Sequence, residues 1–148
     1  MLVGEVWVEE QDDDFQDVVE EHEKCRGQAN RKLGKRGEDA AVRYLGFMDY
    51  EVLERNWVCP FGEADIIARD GETLVFIEVK TRKDISKGFP AEAVTPKKRA
   101  RYEKIAACYL RDYGFLDIPI RFDVIGLLVV GPDRAMIKHY VNAFGFER

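Results

Sequence analysis

The stretch FGEADIIARDGETLVFIEVKTR, residues 61–82, carries Glu63, Asp65, Glu78 and Lys80 in or beside apolar runs where a core strand would carry valine. Two carboxylates brought to one point can share a divalent cation. Such an ion lowers the pKa of a bound water and neutralises charge growing on phosphate oxygens. A lysine beside them orients that water or stabilises the same charge. Asp65 and Glu78 as ligands, the backbone carbonyl of Val79 as a further oxygen donor and Lys80 as the adjacent cation therefore suit phosphodiester hydrolysis. Glu63 lies in the same stretch with no role that its position alone defines.

The elements that must position these residues follow from periodicity. Ala64–Arg69 and Thr73–Thr81 read as strands around Asp70-Gly71, a dipeptide favoured in two-residue hairpin turns. With those two residues as the loop, Arg69 faces Glu72, Asp65 lies opposite Phe76, and Glu63 opposite Glu78. Asp65, Glu78 and Lys80 then share one face, the two acids as diagonal neighbours about 7–8 Å apart at the backbone, with Val75, Ile77 and Val79 on the other face. Gly37, Ala40, Ala41, Tyr44, Leu45 and Met48 repeat at helical spacing and predict a helix over 34–48, with Glu38 at the edge of its stripe. Tyr50–Val58 predicts a strand broken by Pro60 and Gly62.

Thr95 as N-cap and Pro96 in the first turn predict a second helix, with Tyr102, Ile105, Ala106, Tyr109, Leu110 and Tyr113 buried and Gly114 ending it. The segment from Arg82 to Thr95 reads as a loop. Arg121–Val130 and Ala135–Val141 complete the pattern as strands around Gly131-Pro132-Asp133. A long helix between the third and fourth strands is the crossover that parallel neighbours need. The expected architecture is an α/β sandwich with a mixed five-stranded sheet flanked by helices.

Composition narrows the chemistry further. The 148 residues suit one domain, and no stretch approaches the ~18 uncharged apolar residues of a membrane span. The N-terminus lacks the basic start and apolar core of a secretory signal, which makes the cytoplasm the expected location. Three cysteines without CxxC spacing and two histidines argue against a zinc site or a disulfide framework, so a metal here would take oxygen ligands, as Mg²⁺ or Mn²⁺ does. The net charge of −5 hides an asymmetry: residues 1–28 sum to −8, leaving 21 basic and 18 acidic residues over 29–148. A nucleic-acid partner is therefore compatible with the acidic pI of 5.2. Residues 1–30 read as an acidic, weakly ordered extension and 31–148 as the domain; the extension either solubilises the chain or competes with phosphates for a basic groove.

Asp65, twelve residues, then Glu78-Val79-Lys80 resembles the D…ExK core of the PD-(D/E)xK nucleases. The blocks GKRGEDAAVRYL, ERNW, FGEADIIARD, LVFIEVKTR, GFPAEAVTPKKR and RFDVI, spread over roughly residues 31–143, resemble the YraN-like family of bacterial proteins assigned as endonucleases, itself similar to archaeal Holliday-junction resolvases. The resemblance implies a restriction-endonuclease-like fold and a Mg²⁺-dependent endodeoxyribonuclease acting on DNA, including branched or structured DNA. It also implies Asp65 and Glu78 as metal ligands, Lys80 as the catalytic lysine, and Glu38 as an outer carboxylate of the metal site. Resolvase-like folds often pair, so a homodimer is a further expectation. Ala64 stands where the superfamily's motif names a proline.

Plainer readings exist for the same residues. Glu78 and Lys80 would form an exposed pair if their strand were a sheet edge, and Glu38 would complement a helix dipole if it stood in a first turn. Lys98, Arg82 and Arg55 are the candidate nucleic-acid contacts; Arg55 and Asn56 serve equally as a strand-end feature, and Lys98 lies on the inward stripe of its helix. Arg121 and Asp123 read as a structural pair, Cys59 and Cys108 as packed thiols, and Trp57 as core. The alternative function is a non-catalytic nucleic-acid-binding or assembly protein that keeps the fold without turnover.

Overall fold

A computed structural model describes residues 2–7, 21–83, 86, 95–114 and 117–143, with side chains from Gln28 onward. The order is β1 (Leu2–Trp7), α1 (Glu21–Phe47), β2 (Glu51–Cys59), β3 (Gly62–Asp70), β4 (Thr73–Arg82), α2 (Pro96–Tyr113), β5 (Ile120–Gly131) and β6 (Arg134–Tyr140). The sheet runs β1-β6-β5-β4-β3-β2, with β4 and β5 parallel and every other pair antiparallel. This is the α/β sandwich with a mixed sheet that the pattern predicts, and all five expected strands are present. A sixth, β1, extends the sheet by pairing with β6. Its alternation, LVGEVW, sits just ahead of the acidic run that dominates the composition of the leader.

The two helices lie on opposite faces. Ala40, Ala41, Tyr44 and Leu45 of α1 pack on Ile66, Ala68, Val75, Ile77, Ile125 and Leu127, while Tyr102, Ile105, Ala106 and Tyr109 of α2 pack on Ile67, Leu74, Phe76 and Phe122. Helix α1 closes with Asp49 in the left-handed region (φ 62°), where its N–H donates to Gly46 O and that of Tyr50 to Leu45 O, satisfying carbonyls the last turn would leave open. Met48, expected on the buried stripe, is 38% exposed beyond the helix end. At the start of α2 the Thr95 hydroxyl accepts the Lys98 N–H, Pro96 occupies the first turn, and Gly114 (φ 69°) ends the helix. Trp57 packs edge-on against Tyr109. Most of the expected loop from Arg82 to Thr95 lies outside the described residues.

The hairpin register differs from expectation. Asp70 pairs with Thr73, so Gly71-Glu72 form the turn, and Ile67 faces Phe76. Gly71 supplies the positive φ (60°) that Asp70 would otherwise need to adopt. The shift is two residues, which keeps each side chain on its face but carries Asp65 from a diagonal position to the level of Glu78, one step past the last pair, Ile66–Ile77.

Candidate active site

Strand β4 is interior, flanked by β3 and β5, so its charged end is not an exposed sheet edge. The Glu78 residue is buried, with its side chain 10% exposed; Lys98 Nζ stands 2.9 Å from Oε2, and Lys80 Nζ 3.5 Å from Oε1. Two cations on one nearly dry carboxylate make this more than a screened surface pair.

Asp65 sits where the alternation of β3 breaks. Ala64 packs with the α2 cluster and Ile66 with the α1 cluster, although residues two apart in a regular strand share a face. The Asp65 carboxylate accepts the Val79 N–H at 2.8 Å and lines a groove on the α1 side with Glu38, Glu63 and Arg55. Glu78 and Lys80 line a second groove, on the α2 side, with Lys98. Strict alternation placed Asp65, Glu78 and Lys80 on one face; the structure has them straddle the end of the β3–β4 ladder, because Asp65 turns into the position its strand would otherwise use for pairing. In an extended strand a residue's N–H and C=O point to the same side. The Val79 carbonyl therefore also points toward β3, beyond the last paired position.

Burial, together with the repulsion of Glu78, Glu38 and Glu63 and against the Val79 hydrogen bond, raises the Asp65 carboxyl from its ordinary 3.8 to about 6. Repulsion from the surrounding acids thus acts in the same direction as burial. All the donors here are oxygens, which fits a hard divalent cation by chemistry. Their present spacing is another matter. Among the described residues no three His, Cys, Asp or Glu side chains stand together as a metal-holding group. Three of the acids are instead held by protein partners: Glu78 by lysines, Asp65 by the Val79 N–H, and Glu38 by Arg55 and Asn56.

Glu38 is the eighteenth residue of the 27-residue α1, so it is remote from the helix N-terminus and the dipole account does not apply. It reaches the site because Gly37 touches β4: a Cβ on Gly37 would stand 1.9 Å from Thr81 Oγ1. Asn56, held at φ 50°, donates to Glu38 Oε1 at 2.8 Å, and Arg55 bridges Glu38 and Asp39. Arg55 is thus committed to carboxylates on the α1 side, and Arg82 ends β4 opposite Leu128, lining neither groove. Sequence reading placed Gly37 only on the packed stripe of its helix and did not follow the basic α2 row on to Lys104, facing Phe61. Recurrence four and then seven residues after Lys97 was the available signal.

Arg121 and Asp123 do pair, and the pair belongs to a buried network. Arg121 also binds Asp70 and Tyr50, while Asp123 Oδ2 lies 2.8 Å from His139 Nε2, whose Nδ1 lies 3.1 Å from Tyr44 Oη. An ionised carboxylate only accepts, so His139 carries a proton on Nε2.

Fold and site together define an α/β sandwich that gathers carboxylates and lysines at the end of its interior strand β4. Residues 37–127 match the uncharacterised protein family UPF0102. The chain is 49% identical over 115 residues to a UPF0102 protein of Geobacter sulfurreducens, covering 78% of this chain and 90% of that one. It is 44% identical to one of Rhodococcus jostii (78% and 98% covered) and 45% identical to one of Geotalea uraniireducens (78% and 91% covered). The chain belongs to this family, which is the level at which the YraN-like resemblance holds. Among the described residues no helix is long and apolar enough to cross a membrane.

Proposed function

We propose that this protein is a metal-dependent nuclease of the PD-(D/E)xK type, hydrolysing phosphodiester bonds in DNA, with branched or otherwise structured DNA as its substrate class. One observation carries the reading: Asp65 and Glu78 flank the open end of the β3–β4 ladder from its two faces, with Lys80 and Lys98 on Glu78 and acids crowding Asp65. Asp65, Glu78 and the Val79 carbonyl would hold Mg²⁺ or Mn²⁺, with Glu38 outside them. When bound, the ion supplies charge neutralisation and an activated water. The chain's own part is to fix Asp65 through the Val79 N–H and to present Lys80 beside the attacked phosphate. Burial of Glu78 keeps bulk water from screening these charges.

The second reading, a nucleic-acid-binding protein without turnover, is favoured by the pairing of Glu78 with Lys98, which already neutralises a proposed ligand. Labelled linear, flapped and four-way DNA incubated with Mg²⁺ or Mn²⁺ separates the two. Cleavage that falls about 10³-fold or more in Glu78→Ala and in Asp65→Ala supports the nuclease. Full activity in either variant would sink the site, and no cleavage together with no calorimetric Mn²⁺ binding would favour the second reading.

A further inference from the structure

The groove on the α2 side is not explained by hydrolysis alone. Lys97, Arg101 and Lys104 recur at spacings of four and three along α2 and line it with Lys80 and Lys98, and Glu78 is the single acid among the described residues there. These cations begin at the N-terminal end of the helix, where positive charge works against the helix dipole, and α2 has no acid in its first turn. Their cumulative field is costly to the isolated fold and favours a polyanion.

Across the groove stands Phe61, from the β2–β3 turn, 47% exposed, with Lys104 Nζ 5.6 Å from its ring centre. The backbone that carries the ring is set against α2. The adjacent Gly62, at φ 143°, lies so close to α2 that a Cβ there would meet Ile105 Cδ1 at 3.3 Å and Arg101 Cδ at 3.5 Å. The turn therefore rests on the same helix that carries the cations, fixing an aromatic face beside a basic row.

We propose that this groove binds an unpaired strand of the nucleic-acid substrate, with Lys97, Arg101 and Lys104 along its phosphates and one base stacked on Phe61. The inference rests on the phosphodiester reading for its choice of polyanion, and adds that the substrate carries a single-stranded segment. Lys97 to Lys104 spans about 10 Å of helix, enough for roughly two or three backbone phosphates. Stacking requires a base outside a duplex, since paired bases present only their edges in the grooves.

The test is fluorescence anisotropy of the full chain with a labelled oligothymidylate and a blunt duplex of equal length, in EDTA so that nothing is cleaved. The single strand should bind tighter than the duplex. Phe61→Ala should weaken single-strand binding about 5–50-fold and duplex binding less than about twofold, with Phe61→Trp close to the parent. Lys97→Gln or Arg101→Gln should each flatten the salt dependence of single-strand binding by about 0.7 in log–log slope. Parental single-strand affinity in Phe61→Ala, or equal losses on both DNAs, would overturn the proposal. Because binding is read without metal, failed cleavage with these shifts intact would sink only the hydrolytic reading. Cleavage that depends on Asp65 beside an indifferent Phe61→Ala would sink only the strand groove.

Discussion

Two aspartates of the sheet, Asp123 fully buried and Asp65 half-buried, are treated in opposite ways. Asp123 is fully buried, and both its oxygens are engaged: Arg121 Nε at 2.9 Å and the Asn142 N–H at 2.9 Å on one, Arg121 Nη2 at 3.0 Å and His139 Nε2 at 2.8 Å on the other. Burial alone would raise its pKa, but the hydrogen bonds from His139, Arg121 and Asn142 outweigh it and hold the carboxyl below its ordinary range. Asp65 accepts one N–H and faces three acids, so desolvation and repulsion push it up to about 6. A buried charge that is fully satisfied works for the fold; one left short of compensation is where an active site is expected.

The comparison breaks most sharply at Asp123. Asp123→Ala leaves Arg121 and His139 buried without their acceptor and should cost about 3–5 kcal/mol, read from urea unfolding, lowering Tm by roughly 10 °C. A loss under about 1 kcal/mol would mean that the network is not structural. Its pH dependence follows from the lowered pKa: the stabilisation is present above the ordinary carboxyl range near 4 and is lost as pH falls through the folded value.

Asp65 should behave in the reverse sense. Its folded pKa is raised, so the folded state holds the proton more tightly than the unfolded chain, and metal-free protein loses stability as pH rises from about 4 to about 6. Asp65→Asn keeps an oxygen for the Val79 N–H and removes the charge. A carboxyl at about 6 instead of 3.8 sets a ceiling near 3 kcal/mol. Residual solvent brings the expected gain to about 1–2 kcal/mol at pH 8, vanishing near pH 4. Equal stability of parent and variant at pH 8 in EDTA would remove the claim that Asp65 is uncompensated.

Gly37→Ala probes the same site through the backbone. The added methyl meets Thr81, an overpacking cost of about 1–3 kcal/mol that better helix propensity offsets by about 1. A net loss near 1 kcal/mol is expected, together with a fall in cleavage as Glu38 is lifted from β4. The Asp123 network should keep its acid-range pH dependence. Unchanged stability and cleavage would show that α1 tolerates the displacement.

Much of this was legible before the structure, for identifiable reasons. Capping chemistry at Thr95, Pro96 and Gly114, and the apolar runs of β3, β4 and β5, are local signals, and local signals read correctly. Register is not local: Asp70-Gly71 is a good turn pair, but cross-strand packing of Ile67 on Phe76 selects the turn one residue later. The break in alternation at Asp65 was invisible because a periodicity argument assumes the regularity that an active site abandons. The Asp123 network was half visible, since Arg121 is two residues away, whereas His139 comes from another strand. The strand β1 escaped because its apolar residues were outweighed by the charge that follows them.

The smallest expected effect is at Lys98, where the two kinds of carboxylate come closest to each other. Glu78 resembles Asp123 in having basic side chains on both its oxygens, yet it is proposed as a ligand like Asp65. If Lys98 stands where a divalent cation would take over part of the charge balance, Lys98→Met should tighten Mn²⁺ binding a few-fold by calorimetry, since a competing cation is gone. Stability should change by less than about 1 kcal/mol, because Lys80 stays within 3.5 Å of Glu78 and the methionine stem preserves most of the packing. DNA affinity in EDTA should fall a few-fold, from the loss of one phosphate-facing charge. Opposite movement of metal and DNA affinity makes Lys98 an exchangeable counter-charge. If both weaken together, Lys98 is instead fixing the Glu78 carboxylate in place, and Glu78 belongs with Asp123 as a carboxylate that the fold itself requires.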